Sequence, residues 1–567
     1  MLIDNHSIFD PAEISGRFDW AYRLVNALHV RTRPRFIRRE LLFGPNSCYD
    51  PLLLAESERL LRGYPFIAQA NVFGLLQTDR TWRVVVETQD EWTTKLTLGL
   101  RWDGGSVRFE KLALTEENFL GRGILLGGFI RERDRERELG LSLELPRIGG
   151  SRTDTRLSWG RTRTGEFFEQ GFQYPFIGEI GRVAGRQQFV RRQTSFPYSL
   201  GSSPNRTPET PTHVLLPMDE QRFELTVAGR LGRPGNLTIF GLGFSNESLV
   251  FPGFPEAVEI ALDEDFDDPQ PGDSMAIESV RHQTLHSPGM RVNLLIGQRN
   301  VRFERFLGLD ALRGTQDVAL GTDLAFTLGR SFGSTSALSG REAPANFYFR
   351  FRAGAGVAPG AFLILLAGGI EGHRISSGDA TSHGWKDLLS ELALMFYWQP
   401  ADSSRHTFFA RATGVGGWNA TQPFQLTLGG ASGVRGYDRS ALPVGRRIVF
   451  SIEDRMYLGW PWPDLLDLGV TIFSDIGAGW AGGVPFGEDT GWRGTLGTGL
   501  RVGFPAGSRS VARVDLAWPV RAEGLGNPHF RITFGDPIGL TRGLVDNQLA
   551  RSRRLPIGPD LFQVQQP

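Results

Sequence analysis

The sequence predicts an all-β transmembrane barrel preceded by a small α+β domain. Three observations carry that reading. From Thr93 onward the hydrophobic period is two: Leu96, Leu98 and Leu100 alternate with Lys95, Thr97, Gly99 and Arg101, the spacing of a strand rather than a helix. Glycine supplies 71 of 567 residues, beside 40 Phe and 13 Trp, a composition suited to many strands, tight turns and aromatic girdles. Charges in the clearest strands keep to one face. Leu496, Thr498, Leu500, Val502 and Phe504 alternate with Gly497, Gly499, Arg501 and Gly503, and Ala512, Val514, Leu516 and Trp518 leave Arg513 and Asp515 on the other side. A basic side chain facing lipid would cost up to about 2–4 kcal/mol near the midplane.

The whole-chain properties agree. At 567 residues the chain exceeds one ordinary domain. Its 62 basic and 62 acidic residues lack the basic excess of an electrostatic nucleic-acid binder. Cys48 is the single cysteine, so an internal disulfide and a cysteine zinc site are excluded. No apolar run approaches the ~18 residues of a membrane helix. A mean hydropathy of -0.20 suits a barrel, because half of each strand faces a polar lumen. Met1-Leu2-Ile3-Asp4-Asn5-His6 has neither the basic nor the apolar region of a secretory signal, which leads to the expectation of a missing upstream segment or a misplaced start.

Taken in order, residues 1–19 read as an irregular segment, 20–92 as the small domain, 93–535 as the barrel and 536–567 as a tail. Leu24 to Val30 reads as a strand. Thr32 reads as an N-cap with Pro34 in the following turn. Asp50 caps a second helix that starts at Pro51, presents Leu53, Leu54, Ser57, Leu60 and Leu61, and ends at Gly63. Strands Ile67 to Phe73 and Trp82 to Thr88 follow, joined at Thr78-Asp79-Arg80. In the middle, Phe347, Phe349 and Phe351 alternate with Tyr348, Arg350 and Arg352, and the sign-alternating Arg131 to Glu138 reads as a strand end. The acidic stretch Asp263 to Asp268 reads as a solvated loop, since a calcium loop would need glycine at Asp268 and glutamate at Ser274. Asp454 breaks the alternation by sharing parity with Ile452 and Met456.

The search for chemistry converges on Thr427 to Tyr437, with Val434, Arg435, Gly436 and Tyr437 at its centre. Parity turns Glu453, Arg455 and Asp475 inward, and Gly477 and Gly479 leave room beside Asp475. Enzyme motifs fail. Ser432 is followed by Gly433 and Val434, which breaks a nucleophile elbow. Gly121 and Gly123 lack the third glycine of a dinucleotide loop, and Leu126 stands there instead. His282 and His286 lie four apart with no glutamate to complete a zinc motif. No catalytic, cofactor-binding or metal-binding set is expected.

Together with Phe473-Ser474-Asp475-Ile476-Gly477 and the closing strand Phe530 to Phe534, the Val434-Arg435-Gly436-Tyr437 loop resembles the BamA/TamA-type superfamily of outer-membrane assembly and translocation barrels. Glu117-Asn118-Phe119-Leu120-Gly121-Arg122-Gly123 looks like its early-barrel signature. Residues 20–92, with Arg38 to Phe43, Tyr49-Asp50 and Glu56 to Leu61 in a strand-helix-helix-strand-strand order, resemble a POTRA (polypeptide-transport-associated) domain.

The resemblance implies a 16-stranded antiparallel barrel behind a single POTRA-like domain, at a Gram-negative outer membrane with that domain in the periplasm. Arg435 would reach back into the lumen and pair with Asp475, with Glu453 nearby. The seam between Leu96, Leu98 and Leu100 of the first strand and Phe530, Ile532 and Phe534 of the last would open toward lipid. Implied partners are the bilayer, an unfolded outer-membrane or secreted polypeptide, and a periplasmic or lipoprotein accessory. Two rival readings are a two-partner-secretion transporter devoted to one protein and a passive pore.

Overall fold

A computed structural model describes residues 1–9, 19–103, 106–133, 136–201, 210–263, 265–266, 268–284, 289–332, 334–335, 342–343, 345–375, 384–400, 405–430, 432–534 and 546–552. The small domain contains β1 (Leu2–His6), α1 (Asp19–Leu28), α2 (Pro34–Glu40), α3 (Pro51–Arg62), β2 (Ile67–Leu76) and β3 (Trp82–Asp90). Its sheet order is β1-β3-β2, with β1 parallel and β2 antiparallel to β3. The helices cover one face through Phe36, Ile37, Leu54 and Leu61, packed on Ile67, Ala70, Val72 and Val86. Asp50 caps α3 by accepting from Leu52 N at 2.9 Å, and Pro51 follows.

Three expectations are corrected here. Residues 1–19 are not all irregular, because Leu2–His6 pairs along β3 from Leu2↔Val85 to His6↔Gln89. Asn5 is polar yet buried there, since its amide donates to Thr32 O at 2.8 Å and accepts from Thr88 Oγ1 at 2.9 Å. Local pattern misses a strand whose partner lies at the other end of the domain. Leu24 to Val30 is not a strand: it falls mostly in α1, where Asp19 and Arg23 pair one turn apart. Thr32 is not the N-cap of α2. That position is Arg33, and Thr32 N instead donates to Asp90 Oδ2 at 2.6 Å.

The barrel follows. Its first ten wall strands are β4 (Thr94–Asp103), β5 (Ser106–Phe119), β6 (Ile124–Arg133), β7 (Glu136–Leu145), β8 (Asp154–Arg161), β9 (Glu166–Tyr174), β10 (Val183–Ser199), β11 (His213–Arg233), β12 (Asn236–Val250) and β13 (Met290–Leu307). The wall continues with β14 (Thr315–Ser331), β15 (Asn346–Val357), β16 (Phe362–Ile375), β17 (Gly384–Trp398), β18 (His406–Trp418), β19 (Arg446–Tyr457), β20 (Asp467–Trp480), β21 (Gly491–Gly503), β22 (Val511–Arg521) and β23 (His529–Phe534). All pair antiparallel, and β23 returns to β4 to close the sheet.

The wall therefore has 20 strands, not 16. Residues assigned in advance to long loops go into the wall instead. The strand β11 alone takes 21 residues, and it turns into β12 between Arg233 and Asn236. Strand number is set by how many staggered pairs close the circle, and no local pattern reports that.

The small domain sits at one end of the barrel, where β4 begins. Turns at that end are short. The opposite end carries the long loops, including α4 (Ser274–Arg281) and the segment between β18 and β19. The outer wall is apolar: Leu114, Ile130, Leu141, Leu242, Ile452, Ile472 and Leu496 all stand exposed. Exposed tryptophans mark both ends, with Trp398, Trp460 and Trp462 toward the small domain and Trp385, Trp480 and Trp492 away from it. Such a band between aromatic girdles is the surface a bilayer covers. Asp454 does face outward, near the end of β19, where His406 of the adjoining strand holds it at 3.0 Å.

The small domain is bolted to the barrel rim. Arg62 makes a two-pronged bond to Asp317 of β14, at 2.9 Å on each prong. The β5–β6 turn packs against it: Asn118 donates to Thr32 Oγ1 at 2.8 Å, and Arg33 N donates to Gly121 O at 2.9 Å. At Gly123 (φ +70°) a Cβ would lie 2.6 Å from Phe36, so only glycine fits. Burial, aided by neighbouring Glu40, lifts the Tyr64 hydroxyl well above its usual range, which keeps it neutral in the joint.

Arg509, in the β21–β22 turn, donates to Tyr64 O at 2.7 Å and Ile67 O at 2.9 Å. Arg509→Ala should leave both carbonyls without that donor and loosen the joint by about 1–3 kcal/mol. Limited proteolysis between Asp90 and Thr94 should then run faster; an unchanged cleavage rate would refute this.

Candidate functional site

The loop between β18 and β19 does not stay outside. Its stem is a two-stranded ribbon, Leu426–Thr427 on Pro443–Val444. Its tip turns down into the lumen, held by Val434 N to Leu428 O at 2.8 Å and Gly430 N to Tyr437 O at 3.1 Å. Leu428 and Val434 pack on Val449 of the wall, with Tyr437 and Leu442 around them. The approach is close. A Cβ at Gly477 would lie 2.9 Å from Val434 Cγ2, and one at Gly436 (φ +99°) would lie 2.8 Å from Thr495 Cγ2.

Arg435 is the hub. Its Nε and Nη2 donate to the two oxygens of Asp475, each at 2.7 Å, and its backbone N donates to Asp475 Oδ2 at 3.1 Å. Nη1 donates to Glu453 Oε1 at 2.6 Å. The guanidinium lies 3.7 Å from the centroid of the Phe473 ring, a cation–π contact strengthened by desolvation. Arg435, Glu453 and Asp475 are all buried. The bidentate fork fixes orientation as well as position.

The network extends past the residues legible in advance. Glu453 also accepts from Arg455 Nε at 2.8 Å and from Arg513 Nη2 at 2.9 Å, and Arg513 Nε donates to Asp515 at 2.7 Å. Arg455 reaches Asp310 at 2.9 Å, which also accepts from the Tyr397 hydroxyl at 2.9 Å. Asp310 belongs to the β13–β14 turn at the small-domain end. Charged contacts thus run from the loop tip down the lumen to that turn. Parity had turned Arg513 inward without a partner. Nothing local marked Asp310, because a turn that rises into a lumen looks like any other turn.

The loop residues Val434 to Tyr437 therefore meet Glu453, Arg455, Asp475 and Gly477 in one place. The seam residues meet only in part. Between β23 and β4 the register pairs are Phe530↔Trp102, Arg531↔Arg101 and Ile532↔Leu100, whereas the neighbouring β21–β22 ladder runs from Gly494↔Val520 to Gly503↔Val511. Among the described residues Leu96 and Leu98 have no partner across this junction, and Phe534 is in register only with Ala512 of β22, on the other edge of β23. The ladder also shifts between Gly99 and Leu100 on the β5 side, which adds local twist. A cavity of about 30 Å³ separates the loop tip at Arg435, Gly436 and Tyr437 from Phe530 and Arg531 of β23, so lock and seam share one wall.

Among the described residues, no His, Cys, Asp and Glu side chains converge in a metal-holding group. His282 sits in a 3-10 turn after α4; His286 and part of the Asp263 to Asp268 stretch lie outside the described residues.

A test of the lock follows from its geometry. Arg435→Asp or Asp475→Arg alone should lower barrel stability, and the double exchange should recover a substantial part of the loss. Recovery will be incomplete, because an aspartate at 435 faces Glu453. Urea midpoints of the folded barrel in detergent measure it, and absence of any recovery would count against the pairing.

The fold and site together define a closed β-barrel with its own far-end loop folded into the lumen. No known sequence family and no curated protein sequence matches the chain. Among solved structures it is similar to BamA from Haemophilus ducreyi lacking POTRA domains 1-3, with 11% identity and a TM-score of 0.38 over 94% of this chain and 84% of that one. It is similar to CdiB from Escherichia coli, with 11% identity and a TM-score of 0.42 over 94% and 76% of the two chains. It is also similar to BauA, the ferric preacinetobactin receptor from Acinetobacter baumannii, with 10% identity and a TM-score of 0.33 over 80% and 81%.

Proposed function

We propose that this protein is an outer-membrane barrel that assists insertion or translocation of a polypeptide, without a cofactor and without bond chemistry. The observation that carries the reading is the loop tip locked in the lumen by Arg435 on Asp475 and Glu453, beside a seam in which the described residues form three register pairs. An unpaired strand edge templates pairing with another chain. The small domain has the strand and helix composition of a POTRA-like module and faces the periplasm in this reading. Its β2 edge, with Phe73 and Leu75 exposed, would receive an extended client through main-chain hydrogen bonds.

A second reading, a transporter devoted to one secreted protein, draws support from α5 (Asn547–Ser552), which is lodged in the lumen. A filled lumen suits a gated conduit better than a passive pore. Depletion of the protein followed by quantitative proteomics of outer membrane and medium separates the cases. A broad fall in barrel proteins supports insertion, loss of one secreted protein supports the dedicated transporter, and no change in either fraction overturns both.

A further inference from the structure

The segment Asp546–Ser552 is bound inside the barrel as a ligand would be. Asp546 accepts from Gln548 N at 3.0 Å and Leu549 N at 3.1 Å, which caps a short helical turn. Its other oxygen accepts from Arg447 Nη2 of β19 at 2.5 Å. Gln548 is gripped on both ends of its amide. Its oxygen accepts from Thr427 N at 3.0 Å and Arg447 Nη1 at 2.8 Å, and its nitrogen donates to Thr427 Oγ1 at 2.7 Å. Leu549 is fully buried among Leu389, Val415, Phe424, Leu426, Val444 and Val484. Ser552 donates to Pro423 O at 2.6 Å, and Asp546 N donates to Glu391 Oε2 at 2.9 Å. Thr427 belongs to the ribbon at the stem of the Arg435 loop. The segment therefore ties the stem to β17 and β19, while Arg435 ties the tip to β19 and β20.

We infer that this lumenal pocket is a peptide-binding site whose resident ligand is the chain's own Asp546–Ser552. Its chemistry selects a capped helical turn with a carboxylate for Arg447, an amide two residues on for Thr427, and a leucine next to it for the apolar floor. With the segment seated, the loop stem is clamped and the lumen is obstructed. With it displaced, the stem loses the three hydrogen bonds that join Thr427 and Pro423 to the side chains of Gln548 and Ser552, and the conduit opens. Binding here is intramolecular, so a linker that can span the distance supplies a high effective concentration. A competing peptide must match that concentration to enter.

The test is ion conductance of the full-length protein in planar bilayers, a readout that needs no client and is independent of the proposed transport role. Leu549→Asp and Gln548→Ala change no residue of β23 or of the rest of the wall. Each should raise open time several-fold over the unsubstituted protein. A synthetic peptide spanning residues 545–553 should close the Leu549→Asp channel again, whereas the same peptide carrying Leu549→Asp should not. Conductance equal to the unsubstituted protein, with no effect of the peptide, overturns the inference. If either variant fails to fold, as seen by loss of heat-modifiable gel mobility, a cysteine pair decides. Thr427→Cys with Gln548→Cys in a Cys48→Ser background should be joined by a short bifunctional thiol cross-linker that replaces the length of the glutamine side chain now spanning the two backbones, and absence of that cross-link likewise overturns the inference.

Discussion

Glu453→Ala should loosen the lumenal loop and lower barrel stability by about 3–5 kcal/mol, the range for stripping one partner from a buried ion pair. The reason is specific to this carboxylate. It accepts from Arg435, Arg455 and Arg513 at once, so its removal leaves three guanidiniums facing a buried space with one shared acceptor gone. Arg435 and Arg513 retain Asp475 and Asp515, and Arg455 retains Asp310. Those bonds should hold the wall together while the loop loses its second anchor. Urea unfolding followed by tryptophan fluorescence measures the change. Glu453→Gln should lose less, because it keeps an acceptor oxygen in place. An unchanged midpoint in the alanine variant would sink the claim that this network holds the loop.

Closing the seam covalently should have the larger effect on function. Leu100 and Ile532 stand opposite each other across the β4–β23 junction. Directly opposed residues in an antiparallel pair have Cβ atoms about 4.5–5.5 Å apart, within a small backbone adjustment of disulfide geometry. Leu100→Cys with Ile532→Cys, in a Cys48→Ser background to remove the exposed native thiol, should oxidise readily. If the client passes through an opened seam, the oxidised protein should fail to replace the native one in depleted cells, and reductant should restore it. Full activity of the oxidised protein would exclude the seam as the route and leave the lumen.

The buried network also shows why such pairs persist. Replacing a buried ion pair by apolar side chains of similar volume is often neutral or stabilising. Here the charges define where a long loop comes to rest. An apolar tip would slide along the wall, whereas a bidentate guanidinium on Asp475 and a third bond to Glu453 admit one position.

Much of this was legible in the residues. Period-two alternation placed the strands of the C-terminal wall, and Arg501, Arg513 and Asp515 are buried while Leu496 and Leu500 face outward. Asp50 and Pro51 marked the start of α3 because a cap acts within one turn. Leu24 to Val30 shows the opposite: Trp20, Leu24 and Leu28 recur every four residues on α1 and remain exposed, so burial does not reinforce the pattern.

The sequence by itself determined the class of element, the inward face of each C-terminal strand, and the loop on which the charges converge. These follow from spacing along the chain, which a period of two or 3.6 records directly. Only the tertiary structure decided the 20-strand closure, the parallel seat of β1 on β3, the reach of Asp310 into the lumen, and the docking of Asp546–Ser552 under the loop stem. Each of these joins residues far apart in sequence through a surface that exists only after the wall has closed. No run of neighbouring residues carries that information, because what selects the partner is the position of a carboxylate, an amide or an apolar pocket in the assembled barrel.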